Sequence, residues 1–328
     1  MLLSLEQIRA ITKGVTHIEQ ENGKFCFFRF TESQAASYLE VGKNELYNRT
    51  FASAGVRLAF KTTSRKLSFD YFLTPASSRR FAWFDVYENG AMQRHFGNDG
   101  GSVTQGRAEM DLHEGEKIVE VYLPWSYRTD LSNVSIDDDA TLEPVSRKYK
   151  MVSFGDSITH GYDAVYPSLT YANRLARLLD CDITNKAIGA DCFFPALAEK
   201  PDPVAPDIIT VAYGTNDWNG KTKEKIAEDC QKFYGSLSVL YPHSKIFAIS
   251  PIWRGDEMKR TPFGEPASAI HNVMDAACNS LPNVIPIRAW DFVPHVTEFF
   301  SDFFLHPNDL GLSIYAENLY RTIKEQLN

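Results

Sequence analysis

The sequence predicts an α/β protein in which a parallel sheet, covered by helices on both faces, is preceded by an antiparallel β-sandwich. Two observations predict it. From Phe25 to about Ile136 the apolar pattern is short, aromatic and close to period two, as in strands that bury one face of an antiparallel sheet. After Pro144 apolar strand-like runs alternate with amphipathic helical stretches, the pattern of strands joined by crossover helices. The change falls near residues 142–150, which assigns 1–145 to the sandwich and 146–328 to the α/β unit.

In the first half, strands are expected at Lys24 to Phe30, Val56 to Thr62, Lys66 to Phe72, Phe81 to Glu88, Ala91 to Phe96 and Lys117 to Leu123. Asn89-Gly90 lies between two of these runs, and that dipeptide favours the tight turn of a hairpin. The acidic run Asp137 to Asp139 reads as a charged turn, because it lacks the spacing of a calcium loop. The basic run Ser146 to Lys150 reads as a solvated linker.

In the second half, strands are expected at Tyr149 to Ser153, Ile183 to Ala187, Ile208 to Ala212, Ile246 to Ser250 and Val284 to Pro286. Ser168 is placed as the cap of a helix that carries Tyr171, Leu175, Leu178 and Leu179 on one side. Ile226, Cys230, Phe233, Leu237 and Leu240 recur at helical spacing, as do Tyr315, Leu319, Ile323 and Leu327. Such stripes are core.

Bulk properties narrow the function. At 328 residues the chain is long enough for two domains with substantial cores. A formal charge of -8 argues against a nucleic-acid partner, whose phosphates need a basic face. Glu6 and Arg9 interrupt the leucines at the amino terminus, unlike the apolar core of a signal peptide, and no stretch is long enough to span a bilayer. The five cysteines, at 26, 181, 192, 230 and 278, are odd in number and never in Cys-x-x-Cys spacing. Reduced thiols in a cytoplasmic protein are therefore expected, with no zinc site. No phosphate-cradling loop, Gly-x-Gly-x-x-Gly or His-Glu-x-x-His occurs, so no cofactor or metal is implied.

In a parallel sheet of this kind ligands bind beyond the carboxyl ends of the strands, and four loops there carry unusual residues. Gly155-Asp156-Ser157 follows the first strand, Asn185-Lys-Ala-Ile-Gly189-Ala-Asp the second and Gly214-Thr-Asn216-Asp217 the third. His306-Pro-Asn-Asp-Leu-Gly311 precedes the last helix. A serine on a tight strand-to-helix turn is a candidate nucleophile. It needs a base, and an imidazole titrating near about 6.5 can take its proton and return it. The backbone N–H of Ser157, that of Gly189 and the side-chain amide of Asn216 are candidate donors to a tetrahedral oxyanion. Each residue alone has a plainer role, as turn, loop brace or buried histidine; the ordered set favours the chemistry.

The four blocks resemble those of the SGNH, or GDSL-type, hydrolase superfamily over residues 149–328. The resemblance implies a flavodoxin-like three-layer domain, with Ser157 as nucleophile, Gly189 and Asn216 as oxyanion donors and His306 as general base. A sandwich ahead of such a domain is similar to the second carbohydrate esterase family, and implies a jelly-roll-like fold for the first half. The chain departs from the superfamily where an aspartate stands three residues before the histidine, since position 303 is phenylalanine and the nearest acid is Asp302. Either the loop bulges so that Asp302 reaches the ring, or a carbonyl orients it in a Ser-His dyad, as in some members of that esterase family. Trp218 and Trp253 are candidate pocket walls that would suit a sugar ring, with core packing as the plainer reading, and His160 reads as a solvated histidine.

The expected activity is a cytoplasmic serine esterase that removes a short acyl group, chiefly acetyl, from a carbohydrate or similar small hydroxylated substrate. Rival readings are a lysophospholipase or thioesterase of the same superfamily, and a non-catalytic glycan-binding protein.

Overall fold

The computed structural model describes residues 1–327. Its first half forms two antiparallel sheets. One contains β1 (Thr12–Lys13), β4 (Arg57–Thr62), β6 (Phe81–Glu88), β7 (Ala91–Asp99), β9 (Lys117–Tyr122) and β11 (Glu143–Pro144). Its spatial order is β1-β4-β9-β6-β7, with β11 beside β4. The other contains β2 (His17–Glu21), β3 (Lys24–Phe28), β5 (Lys66–Pro75), β8 (Gln105–Asp111) and β10 (Tyr127–Ile136), in the order β2-β3-β10-β5-β8. Phe60, Phe69, Phe84, Val119, Val121 and Leu131 meet in one core between them, the arrangement of a sandwich.

Asn89 and Gly90 take φ of 50° and 79° and join β6 to β7, as the hairpin cue predicts. The sequence reading missed β2, β8 and β10. In β8 only Ala108 and Met110 are buried, so the apolar alternation is faint. In β10 the register shifts between Ser132 and Ser135, which interrupts the period on which strand reading depends.

The second half is a five-stranded parallel sheet of β12 (Tyr149–Gly155), β13 (Cys181–Asn185), β14 (Ile208–Ala212), β15 (Lys245–Ile249) and β16 (Val284–Ile287). The order β13-β12-β14-β15-β16 is flavodoxin-like, and it makes the end of β12 a switch point with a crevice on its carboxyl side. Helices Tyr171–Leu178 and Asp309–Leu327 cover the face that carries Met151, Ile183, Ile208 and Phe247. Helices Lys223–Leu240 and Ile270–Cys278 cover the face that carries Val152, Phe154, Ile209 and Val211. This strict alternation along β12 follows from the period of two.

Two local expectations are corrected. Thr170, not Ser168, caps the helix Tyr171–Leu178, accepting from the Asn173 amide at 3.3 Å; Ser168 sits in the preceding 3₁₀ turn Pro167–Leu169. Leu178 is 36% exposed and Ala172 takes its place in the buried stripe.

The run Ser146 to Lys150 is also not simply solvated. Arg147 is partly buried, bonded through Nη2 to Glu120 Oε1 at 2.9 Å and through its amide to Asp182 Oδ2 at 3.1 Å. Arg57 joins the same pair, reaching Glu120 Oε1 at 2.9 Å and Asp182 Oδ1 at 2.6 Å. These ion pairs fix the sandwich to β13.

Residues 30–49 lie early in the chain, yet Phe30 and Tyr38 pack in the same core as Phe193, Phe194 and Leu197, with Leu46 and Tyr47 against it. The segment forms helices Glu32–Glu40 and Asn44–Arg49. A reciprocal capping box between Thr31 and Gln34 starts the first.

Candidate active site

β12 ends at Gly155, where a Cβ would meet Thr159 Oγ1 at 2.3 Å and the Ala212 carbonyl oxygen at 2.9 Å; only glycine lets the chain turn so closely. The turn opens the four-residue helix Ser157–His160, and the buried Asp156 carboxylate caps it by accepting from the Ile158 amide at 3.0 Å. Burial pushes the Asp156 carboxyl up to about 7. Ser157, first residue of the helix, has an amide with no partner among the described residues.

The other end of the chain supplies the candidate base. Ser157 Oγ and His306 Nε2 are 2.8 Å apart, and His306 Nδ1 lies 2.7 Å from Asp302 Oδ2. Asp302 Oδ1 accepts from the amides of Phe304 at 3.1 Å, Leu305 at 2.8 Å and His306 at 3.0 Å. Although burial opposes the charge, the His306 ring and these three amides hold the Asp302 carboxyl well below the usual carboxylate range. Phe303 takes φ of 67°, a left-handed conformation that is costly for a bulky side chain. That residue makes the bulge which turns Asp302 back onto the ring, so of the two sequence readings the geometry matches the bulged loop.

A second carboxylate stands near. Asp163 Oδ2 is 4.0 Å from His306 Nδ1. Asp163 is held by Arg79 Nε at 2.5 Å and by the Ser301 hydroxyl at 2.5 Å. Arg79 lies 5.1 Å from the centroid of the Tyr162 ring, which stacks beside His306 at 5.8 Å. The sandwich loop 77–80 therefore reaches the site, a contribution that sequence reading missed; nothing in the residue pattern links Arg79 to His306. Among the described residues, Asp163, Asp302 and His306 form one group at metal-ligand spacing, but their atoms are engaged with Arg79, Ser301, loop amides and one another.

The oxyanion candidates are placed less simply. Loop 185–191 runs beside the serine turn, with the Ile188 amide on the Gly155 carbonyl at 3.1 Å and Asn185 Nδ2 on the Thr159 carbonyl at 2.8 Å. The Gly189 amide does not stand free, since it donates to His160 Nδ1 at 3.1 Å. Glycine is required at 189 because Tyr162 Oη lies 2.2 Å from where a Cβ would be; the missing side chain admits Tyr162. It is the next amide, of Ala190, that has no partner among the described residues. Asn216 Nδ2 donates to the Asp191 carbonyl at 2.9 Å, which leaves its second hydrogen for a ligand.

Three further expectations can be placed. His160 is 1% exposed, not solvated. Its Nε2 donates to the Trp125 carbonyl at 3.1 Å while Nδ1 accepts from Gly189, and burial holds it neutral by moving its pKa well below the ordinary value. Trp218 is fully buried, with its indole N–H on the Glu265 carbonyl at 2.9 Å and Arg254 over its ring; it is core and cannot wall an open pocket. Trp253 is partly exposed and stacks on His295 at 5.3 Å.

A serine, an imidazole and a carboxylate stand in series at the switch point of the flavodoxin-like sheet. Residues 153–313, within the α/β half, match the model of the family described as GDSL-like Lipase/Acylhydrolase family. A comparison with curated proteins finds no match. Among solved structures, a salicylyl-acyltransferase, SsfX3, from a tetracycline biosynthetic pathway is 22% identical with a TM-score of 0.82, over 96% of this chain and 94% of that one. A family two carbohydrate esterase from Clostridium thermocellum, in complex with cellohexaose, is 17% identical with a TM-score of 0.67, over 84% and 94%. One from Cellvibrio japonicus is 15% identical with a TM-score of 0.66, over 97% and 96%. The shared fold spans sandwich and hydrolase halves alike.

Proposed function

We propose that the protein is a serine esterase that hydrolyses short-chain esters, chiefly acetyl esters, of carbohydrates or related small hydroxylated substrates. The observation that carries the reading is the unbroken series from Ser157 Oγ through His306 to Asp302, at 2.8 and 2.7 Å. His306 takes the hydroxyl proton as Ser157 attacks the ester carbonyl, and Asp302 fixes the tautomer and balances the imidazolium. The tetrahedral oxyanion is held by the Ser157 amide, a backbone amide of loop 189–190 and the Asn216 side chain. Collapse expels the alcohol, which takes its proton from His306 and leaves an acyl-enzyme; water then repeats the sequence.

The acetyl and carbohydrate parts rest on likeness to the second carbohydrate esterase family. Five free cysteines, four of them buried, support a reducing, cytoplasmic location, and no helix among the described residues is long and apolar enough to cross a membrane. The test is hydrolysis of p-nitrophenyl esters of rising chain length, followed by acetylated sugars. Turnover is expected to fall beyond the shortest acyl groups, and Ser157→Ala to abolish both turnover and labelling by a serine-directed phosphonate. Activity that climbs with chain length would favour the lysophospholipase or thioesterase reading, and binding of glycans without turnover the non-catalytic one.

A further inference from the structure

Three peptides of the loop beside Ser157 are gripped from outside it. The Gly189 N–H is held by His160, the Gly189 carbonyl by Arg49 Nη1 at 2.5 Å, and the Asp191 carbonyl by Asn216. Arg49 comes from the far end of the sequence, in the last turn of the helix Asn44–Arg49. Its side chain is 16% exposed and pairs with Glu45 at 3.5 Å. Its own carbonyl accepts from Arg29 Nη2 at 3.1 Å. Arg29 is fully buried and also bonds the carbonyls of Asn185 and Ala187. Two arginines of the amino-terminal segment thus hold the carbonyl side of loop 185–189.

The peptide between Gly189 and Ala190 is trans, as every peptide bond among the described residues is, so its N–H points away from its carbonyl. A guanidinium on that carbonyl fixes the plane and turns the Ala190 N–H to the opposite side. That N–H is unpartnered, on an exposed residue held at φ of 68°, and the next residue, Asp191, bears the carbonyl that Asn216 grips. We infer that Arg49 is a positioning residue for the oxyanion hole: clamped on the Gly189 carbonyl, it aims the Ala190 N–H at the oxygen that becomes negative during ester attack. The charge also polarises the peptide, strengthening the N–H as a donor, and it does so before reaction, where preorganisation is worth most.

The inference rests on the esterase reading, and the experiment separates the two. Arg49→Met removes the charge at similar length, and Arg49→Lys keeps a point charge without the fork. In Arg49→Met kcat should fall by roughly 10- to 100-fold with KM changed less than about threefold, as expected when a transition-state donor loses its alignment. Inhibition by a small alkyl boronic acid, which becomes tetrahedral on Ser157, should weaken in parallel. Arg49→Lys should lie between. In Arg49→Ala, added ethylguanidinium should restore part of kcat, which a merely structural defect would not allow.

Wild-type turnover that Arg49→Met leaves unchanged overturns the inference alone. So does a fall in kcat with boronate affinity intact, because the oxyanion hole would then be undisturbed. If Arg49→Met does not fold, the same comparisons made on Arg49→Lys decide the matter, with wild-type kcat and boronate affinity overturning it. A wild type that hydrolyses no ester and takes no phosphonate sinks the esterase reading, and the inference with it.

Discussion

The two loops that flank Ser157 are built in opposite ways. The histidine loop, 302–306, is held from within: one carboxylate oxygen of Asp302 gathers three amides of its own loop while the other faces His306. The loop 185–191 is held from without, by Arg29 and Arg49 from the opposite end of the sequence and by His160 and Asn216. A base must swing a proton between two partners, so its ring is fixed by one nearby acceptor. An oxyanion donor must not move at all, and a backbone amide has no side chain to anchor it, so its peptide is clamped by neighbours.

The largest expected effect breaks the self-contained loop. In Asp302→Asn the three loop amides demand an oxygen acceptor, which turns the new amide NH₂ toward His306 Nδ1. That nitrogen must then accept, the proton moves to Nε2, and the face toward Ser157 can no longer act as base. A loss in kcat on the order of 10³- to 10⁴-fold is expected, approaching that of His306→Ala, as for a base in the wrong tautomer. If His306→Ala is inactive while Asp302→Asn keeps kcat within about tenfold, a carbonyl or Asp163 orients the ring and Asp302 is only a loop brace.

A smaller effect is expected at the externally held loop. Asn216→Ala removes one donor and the tie to the Asp191 carbonyl, and kcat should fall roughly a hundredfold or more with KM less affected. A change confined to KM would make Asn216 a binding residue.

The same contrast explains what was legible in sequence. The candidates Ser157, Asn216 and His306 present their chemistry through side chains and lie in short blocks whose order and spacing are visible in one chain. Asp302 was visible too, but its reach depended on the backbone of Phe303, which residue type does not reveal. The amide at Ala190 was not legible, since every residue but proline carries one, and only the bond from Gly189 to His160 shows that the neighbouring N–H is already spent. Arg49 and Arg79 come from segments more than 75 residues away from the groups they touch, a separation that no local pattern bridges. The parallel sheet was readable nearly strand for strand, because burial on both faces makes each strand a continuous apolar run. β8, with one face in water, left a fainter trace. The helix Glu32–Glu40 announces itself by Thr31-x-x-Gln34, a signal present in the sequence that lay outside the strand pattern being followed.

The smallest effect concerns stability, and here the two loops differ in sign. Asp302 is held below the ordinary carboxylate pKa, so the folded chain binds fewer protons there than the unfolded one. Its contribution to stability is complete above the ordinary value and is lost as pH falls through the folded one. Asp191 is the reverse, with burial pushing its carboxyl up to about 6. Tyr38 Oη at 2.8 Å, Tyr213 Oη at 3.3 Å, Lys43 Nζ at 3.8 Å and the more distant Asp217 carboxylate face it. Between the ordinary carboxylate value and about 6 the folded state binds the extra proton, so stability falls as pH rises through that window, by on the order of a few kcal/mol for a buried group. Asp191→Asn removes this penalty while keeping an acceptor for Tyr38. Its melting temperature should therefore exceed that of the wild type at pH 8, with the gain shrinking toward pH 4. Asp302→Asn should instead melt below the wild type at pH 8, with the deficit shrinking as pH falls below the ordinary carboxylate range. Thermal melts of the three proteins across that range would show two difference curves of opposite sign converging in acid. A constant offset for Asp191→Asn at every pH would mean that folding leaves the Asp191 carboxyl at its ordinary pKa, and that burial in the externally clamped loop sets no proton-linked penalty.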